Sequence, residues 1–259
     1  MIFRRRRAPR YRPCVPDGQR VYAIGDIHGR LDLLAELLDR IERDDRARAP
    51  ARTILVLLGD LVDRGPDSAG VIRLARALAT ADRFDLRLLM GNHEELLLLA
   101  VAGDVRAMRL LMREGGEATL RSFGIGQEEI AQGGYHDLAR LVRDRIPPID
   151  LDFVRAGEDL VTIGDYAFVH AGVRPGVPLE EQVPADLRWI RDTFLDSTRD
   201  HGKIVVHGHT PTASIEERPN RIGIDTGAYL TGRLSALGLE RDSRWFLAAE
   251  APACGGSPE

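Results

Sequence analysis

The sequence predicts an α/β fold with its functional site beyond the carboxyl ends of the strands. Three observations predict it. Short apolar runs alternate with amphipathic stretches of helical period through the first hundred residues, the pattern of βαβ units around a buried sheet. Those runs end in GDIHG, GD and GNHE, where sheets of this class collect ligands. Beyond a glycine-broken stretch the period shortens, and further strand-like runs end in HAG and HGH.

Residues 1–19 carry Pro9, Pro13, Pro16 and most of a cluster of arginines, with little to bury, and are expected to form an extended or disordered arm. A solvated tail is the reading that composition favours, and contact with nucleic acid or an anionic lipid is the alternative. The run 21–24 is a strand that leads into Gly25–Gly29 and a helix over 30–43. The run 53–58 is a strand ending in Gly59-Asp60, followed by a helix over 67–80. The run 86–90 is a strand ending in GNHE, followed by a helix over 94–101, with leucines 96 to 99 as core. Residues 102–150 read as short helices broken by Gly115-Gly116, Gly124, Gly126 and Gly133-Gly134 and closed by Pro147-Pro148. They form an insertion that roofs the site without contributing chemistry, and His136 within them is a surface residue. Runs at 152–155, 159–163, 166–170, 203–207, 221–225, 233–239 and 244–249 are expected as a mainly antiparallel meander. Both halves supply parts of one site, so residues 20–250 are one domain and 251–259 a tail.

The composition is ordinary for a soluble globular protein, with 44% apolar and 29% charged residues. A net charge of −4 argues against a protein built mainly to hold nucleic acid. Six arginines lie within the first twelve residues, which leaves −10 for the rest. Cys14 and Cys254 stand near opposite ends and form neither a disulfide framework nor a metal-ligand spacing. No run reaches the roughly 18 to 20 apolar residues that span a membrane, and MIFRRRR lacks the apolar core of a signal peptide. A cytoplasmic location is expected.

Asp26 and His28 lie two residues apart on a glycine-bracketed turn, a spacing that lets both side chains converge on one point. Two divalent ions need a bridging carboxylate and mixed oxygen and imidazole ligands. Asp26, His28, Asp60, Asn92, His170 and His209 are the candidates, with Asp60 central between the first and third motifs. His93, beside Asn92, is placed to donate a proton to a leaving alkoxide. Asp63 is placed to hydrogen-bond His93 and raise its pKa. Arg64 offers the fork geometry that grips phosphate.

GDIHG, GDLVDRG, GNHE, HAG and GHT, in this order, resemble the signature set of the phosphoprotein phosphatase branch of the calcineurin-like metallophosphoesterases, over about residues 20–250. The resemblance implies a β-sandwich flanked by helices and a dinuclear centre, with manganese as the expected metal and iron or zinc as alternatives. It implies Asp26, His28 and Asp60 around one ion, and Asp60, Asn92, His170 and His209 around the other. It further implies in-line attack by a metal-bridging hydroxide, His93 as general acid paired with Asp63, and Arg64 as phosphate clamp. Leu187-Arg188-Trp189-Ile190-Arg191 resembles the stretch that carries a second phosphate-binding arginine, and Arg191 is chosen over Arg188. His207 is expected near the ligands or the substrate, and Asp225 in a structural hydrogen bond.

HAG stands at 170–172 where eukaryotic members have HGG, and Met90 where they have arginine before GNHE. The run Gly115-Gly116-Glu117-Ala118-Thr119-Leu120 and the phrase HAGVRPG resemble a bacterial subgroup, so the resemblance points to bacterial and phage serine/threonine phosphatases, acting on phosphoproteins or phosphopeptides and on small phosphoesters in vitro. The alternative is a hydrolase of dinucleoside polyphosphates or nucleotide caps, whose relatives share the first motif but tend to lack the aspartate at the position of Asp63. A non-catalytic metal-binding scaffold, or an RNA-binding module led by the arginines, is the third reading.

Overall fold

The computed structural model describes residues 12–251. Expectations for residues 1–11 and 252–259, including the first five arginines and Cys254, lie outside them. The first half runs β1 (Gln19–Ile24), α1 (Leu31–Ala47), β2 (Arg52–Leu57), α2 (Ser68–Thr80), β3 (Asp85–Leu88) and α3 (Asn92–Val101). A helical stretch follows: α4 (Val105–Arg113), α5 (Gly116–Ser122), α6 (Gln127–Gln132), α7 (Tyr135–Arg145) and α8 (Pro148–Arg155). The rest is β4 (Leu160–Ile163), β5 (Tyr166–Val169), α9 (Pro184–Trp189), α10 (Asp192–Leu195), β6 (Ile204–His207), β7 (Glu216–Glu217), β8 (Arg221–Gly223), α11 (Ala228–Thr231), β9 (Arg233–Glu240) and β10 (Ser243–Glu250).

Two five-stranded sheets, ordered β10-β9-β1-β2-β3 and β4-β5-β6-β8-β7, pack face to face. Side-chain alternation divides each strand between two layers. Along β1, Tyr22 and Ile24 face the helices of the first half, whereas Val21 and Ala23 face the second sheet. Along β5, Tyr166 and Phe168 enter the space between the sheets, and Ala167 and Val169 face outward onto Leu187 and Phe194. The result is a β-sandwich with helices on both outer faces.

The second half departs from the antiparallel meander. Strands β5, β6 and β8 are mutually parallel, with antiparallel β4 and β7 at the edges. Hairpin β9–β10 joins the first sheet, where β9 lies antiparallel to β1. Residues 152–155 end helix α8 instead of forming a strand: Pro148 opens the helix, and Leu151 and Val154 bury one face at three-residue spacing. Leu96 and Leu97 are core, but Leu99 is 43% exposed on the outer face of α3.

The N-terminal boundary also moves. Val15 is buried between the sheets, and Cys14 and Asp165 exchange bonds, Cys14 N–H donating to the Asp165 carboxylate (2.7 Å) and Asp165 N–H to the Cys14 carbonyl (2.9 Å). The chain is thus fixed on the sandwich before Gln19, because burying the Val15 side chain contributes about 1.5 to 3 kcal/mol and the Cys14–Asp165 bonds satisfy the backbone beside it. Asp165, in the turn between β4 and β5, is the anchor.

Candidate metal and phosphate site

The turns after β1, β2, β3, β5 and β6 meet at one end of the sandwich. They interlock through the backbone: Ile27 and His28 N–H both donate to the Asp60 carbonyl (3.1 and 2.8 Å), and Gly208 N–H to the His170 carbonyl (2.8 Å). Six described non-glycine residues have positive φ, and five are here: His28, Asp60, Asp63, Arg64 and His209. Such conformations cost of order 1 kcal/mol each and persist where surrounding contacts over-determine them.

Glu94 supplies much of that over-determination. Its buried carboxylate accepts from the N–H groups of Asp60 (2.8 Å), Leu61 (2.8 Å), Val62 (3.3 Å) and Gly91 (3.0 Å). One side chain therefore caps α3 and fixes the loop that carries Asp60 and Asp63. Gly59, at φ 98°, turns the chain into Asp60, and a Cβ there would meet the Gly91 backbone at 2.7 Å.

Asp60 is the centre. Its Oδ1 lies 3.4 Å from His170 Nε2, and its Oδ2 lies 3.4 Å from His28 Nε2 and 3.9 Å from His93 Nε2. The two oxygens of one carboxylate thus face two different sets of imidazoles. Burial alone would raise this carboxyl, but His170, His93, His28 and His209 outweigh it and hold it well below the ordinary range. Donor atoms of His28, Asp60 and His93 lie within 4.8 Å of one another, as do those of Asp60, His170 and His209.

Tautomers follow from the backbone. His28 Nδ1 donates to the Val62 carbonyl and His170 Nδ1 to the Leu58 carbonyl, both at 2.8 Å, so each Nε2 presents a lone pair inward. Burial drives both rings toward the neutral form, His28 down to about 3. The His170 lone pair faces Asn92 Oδ1 at 3.0 Å, acceptor against acceptor. Asp26 Oδ1 and His209 Nε2 are buried with no hydrogen-bond partner among the described residues. Asp26 Oδ2 accepts from His209 N–H (2.9 Å), and Asp26 is raised first by burial, then by the charges of Asp225 and Asp60. Converging lone pairs and three neighbouring buried carboxylates are the donor set divalent cations require. The residues present fit two such ions.

Asp26 lies outside both of these three-residue groups, and His93 takes its place beside His28 and Asp60. His93 is nevertheless committed elsewhere: its Nδ1 donates to Asp63 Oδ2 at 2.6 Å. Asp63 is fully buried, and its Oδ1 accepts from the Thr119 hydroxyl (2.6 Å), while its N–H donates to Thr119 Oγ1 (2.8 Å) and Ser68 Oγ (3.0 Å). Burial disfavours a charged His93, but Asp60 and Asp63 outweigh it and raise the imidazole to about 9. Burial raises Asp63 as well, opposed by His93 and Thr119. The short contact holds the Nδ1–H of His93 against the Asp63 carboxylate.

Arg64 reaches across this pair. Its Nη1 lies 2.7 Å from His28 Nε2 and its Nη2 lies 3.1 Å from His93 Nε2, over the Tyr229 ring at 4.6 Å. The guanidinium and a cation compete for the same His28 lone pair. Beside it opens a cleft of about 730 Å³, lined by Arg30, Pro66 and Tyr229 among others. Arg191 is exposed, and burial first, then surrounding charges that include Arg191, lower both His170 and His209. Arg188 is instead held by Asp159 (2.6 Å) and Glu95 (2.9 Å). His207 turns away from Asp60 to Arg221 (3.3 Å) and the edge of Phe194, so it is packing for this site and not part of its surface. Asp225 accepts from Gly227 N–H (2.8 Å), the structural bond expected of it, and also adjoins Asp26.

Comparison with known proteins agrees with this geometry. The sequence profile of the calcineurin-like phosphoesterases matches residues 19–236. The chain belongs to that family. It is a hydrolase of phosphoesters within the metallophosphoesterases. Serine/threonine-protein phosphatase 1 of Salmonella typhimurium is 30% identical over 224 residues, 83% of this chain and 89% of that protein. The symmetrical bis(5'-nucleosyl)-tetraphosphatase of Dechloromonas aromatica is 35% identical over 154 residues, which are 60% of this chain but 44% of that protein. A crystal structure provisionally described as a diadenosine tetraphosphatase superposes with a TM-score of 0.61 at 23% identity, covering 92% of this chain and 99% of that one, and shows the shared fold. The phosphoprotein-phosphatase type predicted from the motifs is supported by the first of these.

Three contributors escaped the sequence reading. Glu94 was visible only as the last letter of GNHE. Ser68 carries no motif, and Thr119 lies in the run Gly115 to Leu120 of an insertion expected to lack chemistry. Nothing in their spacing identifies them.

Proposed function

We propose that this phosphoesterase is a metal-dependent phosphomonoesterase acting on phosphoserine and phosphothreonine in proteins, with phosphotyrosine and small phosphoesters as further substrates. Asp26, His28 and Asp60 hold one divalent ion, and Asp60, Asn92, His170 and His209 the other, manganese being the proposed metal and iron or zinc accepting the same ligands. Ions there supply Lewis acidity toward the phosphoryl group and activate water. Arg64 and Arg191 bind the phosphoryl oxygens from two sides of the centre and orient the ester. The N-terminus of α3 adds its positive end to the same anion.

The observation that carries the reading is the His93–Asp63 pair. A serine or threonine alkoxide is a poor leaving group and needs a proton as the ester bond breaks. A buried imidazole raised to about 9 carries that proton at neutral pH. A nucleoside diphosphate leaves as a stable anion and makes little demand on such an acid. The end-to-end match to a serine/threonine phosphatase supports the same choice.

The second reading is hydrolysis of dinucleoside polyphosphates, favoured by the higher local identity to the tetraphosphatase. A competition assay separates the two. The protein with manganese receives a phosphothreonine peptide and diadenosine tetraphosphate together, and both products are followed by mass spectrometry. Faster phosphate release from the peptide is expected; faster formation of ADP or ATP overturns the proposal.

A further inference from the structure

Helix α4 carries a row of arginines that the site chemistry does not use. Arg106, Arg109 and Arg113 fall with Leu110 on one face, opposite buried Ala107, Met108 and Leu111. With Met112 and Tyr135 from the start of α7, they line an open cleft of about 640 Å³. Among the described residues neither Arg106 nor Arg109 has an ion-pair partner; Arg113 meets only the neighbouring Glu114 (3.2 Å), and Asp104 is engaged in capping α4. The row stands out on a chain whose residues beyond the first twelve sum to −10. It also leads to the site. Gly115, two residues past Arg113, accepts the Arg64 N–H through its carbonyl (3.0 Å).

Resting on the phosphoprotein reading above, we propose that this cleft binds an acidic stretch of the substrate protein adjoining the phosphorylated residue. Arg106 to Arg113 spans about 10 Å of helix, which matches roughly three residues of extended chain. Acidic side chains laid along it meet one guanidinium per turn. A nucleotide fits less well: Tyr135 is the one aromatic ring lining the cleft, with no second ring to enclose a base.

The test uses two phosphothreonine peptides, one flanked by three glutamates and one by three glutamines, on either side in turn. Turnover is measured with the manganese-loaded protein and with its Arg106→Glu/Arg109→Glu and Arg109→Gln variants. Binding of non-hydrolysable phosphonate versions is followed by fluorescence anisotropy at low and high salt. The native protein is expected to favour the acidic peptide by about tenfold, through KM and less so at high salt. The double reversal removes that preference, and Arg109→Gln weakens it. A preference absent from the native protein, or intact in the double variant, overturns the proposal. If p-nitrophenyl phosphate is hydrolysed and neither peptide is, the phosphoprotein reading fails, while anisotropy still decides the cleft. If the variants lose diadenosine tetraphosphate hydrolysis and bind acidic peptide as before, the cleft is a polyphosphate site and the proposal falls.

Discussion

Replacing Asp63 with asparagine keeps the size of the side chain and removes the charge that faces His93. The rise of His93 from 6.5 to about 9 corresponds to about 3 kcal/mol in favour of the imidazolium. Burial opposes that rise, and Asp60 and Asp63 supply it. Cations on Asp60 take up part of its field, whereas Asp63 faces only His93, Thr119 and Ser68. Asp63→Asn is therefore expected to lose about 1 to 2 kcal/mol of imidazolium stabilisation and to move the alkaline limb of the kcat profile down by about one pH unit. With a phosphothreonine peptide, kcat should fall about 10²- to 10³-fold. With p-nitrophenyl phosphate, whose phenolate leaves unaided, the fall should stay under about tenfold. The group's folded pKa is raised, so its contribution to stability is complete below 6.5 and disappears as pH rises through about 9. Thermal melts across that window should therefore converge for native and variant protein at the alkaline end. Metal content, read by elemental analysis, should be unchanged. Equal losses on the two substrates, or an unmoved alkaline limb, would refute the acid role.

Glu94→Gln places an amide among four backbone donors, so about 2 kcal/mol should be lost and the melting temperature should drop by roughly 4 to 8 °C in calorimetry. Arg191→Ala should lower kcat/KM on phosphopeptides by about ten- to a hundredfold at unchanged melting temperature. Arg188→Ala should do the reverse, lowering the melting temperature by breaking the Asp159 and Glu95 contacts, with a smaller kinetic effect. Chelation should destabilise the protein, because buried Asp26 and Asp60 lose their counter-charge and the buried His209 Nε2 loses the partner of its lone pair. Restoring manganese to a hundred times its dissociation constant should return about 2.7 kcal/mol per site, read as a concentration-dependent melting temperature.

The first half was legible because each βα unit announces itself locally: an apolar run, a glycine turn with polar chemistry, and a helix of matching period. Asp60 could be named as central because it directly follows the strand that proves to be the middle of its motif group. The second half was less legible because register and direction there depend on partners far away in sequence. Residues 203–207 and 221–225 look alike whether their strands run parallel or antiparallel; the long crossover through α9 and α10 lets β6 run parallel to β5, and the chain returns through β7 before β8 joins β6. Residues 152–155 misled because Leu151 and Val154 carry the helical spacing and Phe153 interrupts it. The hydrogen-bond partners of Asp63 were invisible for a similar reason: Thr119 reaches it across 56 positions of chain, without any local pattern.

The return of β9 to the flank of β1 has a consequence during synthesis. Until the final hairpin leaves the ribosome, β1 offers one unpaired edge, bearing Val21, Tyr22 and Ile24, and the turn with Asp26 and His28 has only one neighbouring strand to brace it. At ordinary translation speeds that exposure lasts roughly ten to forty-five seconds. A nascent chain stalled before residue 233 should therefore be a client of holding chaperones, and enzyme activity should emerge abruptly once β9 and β10 have been made.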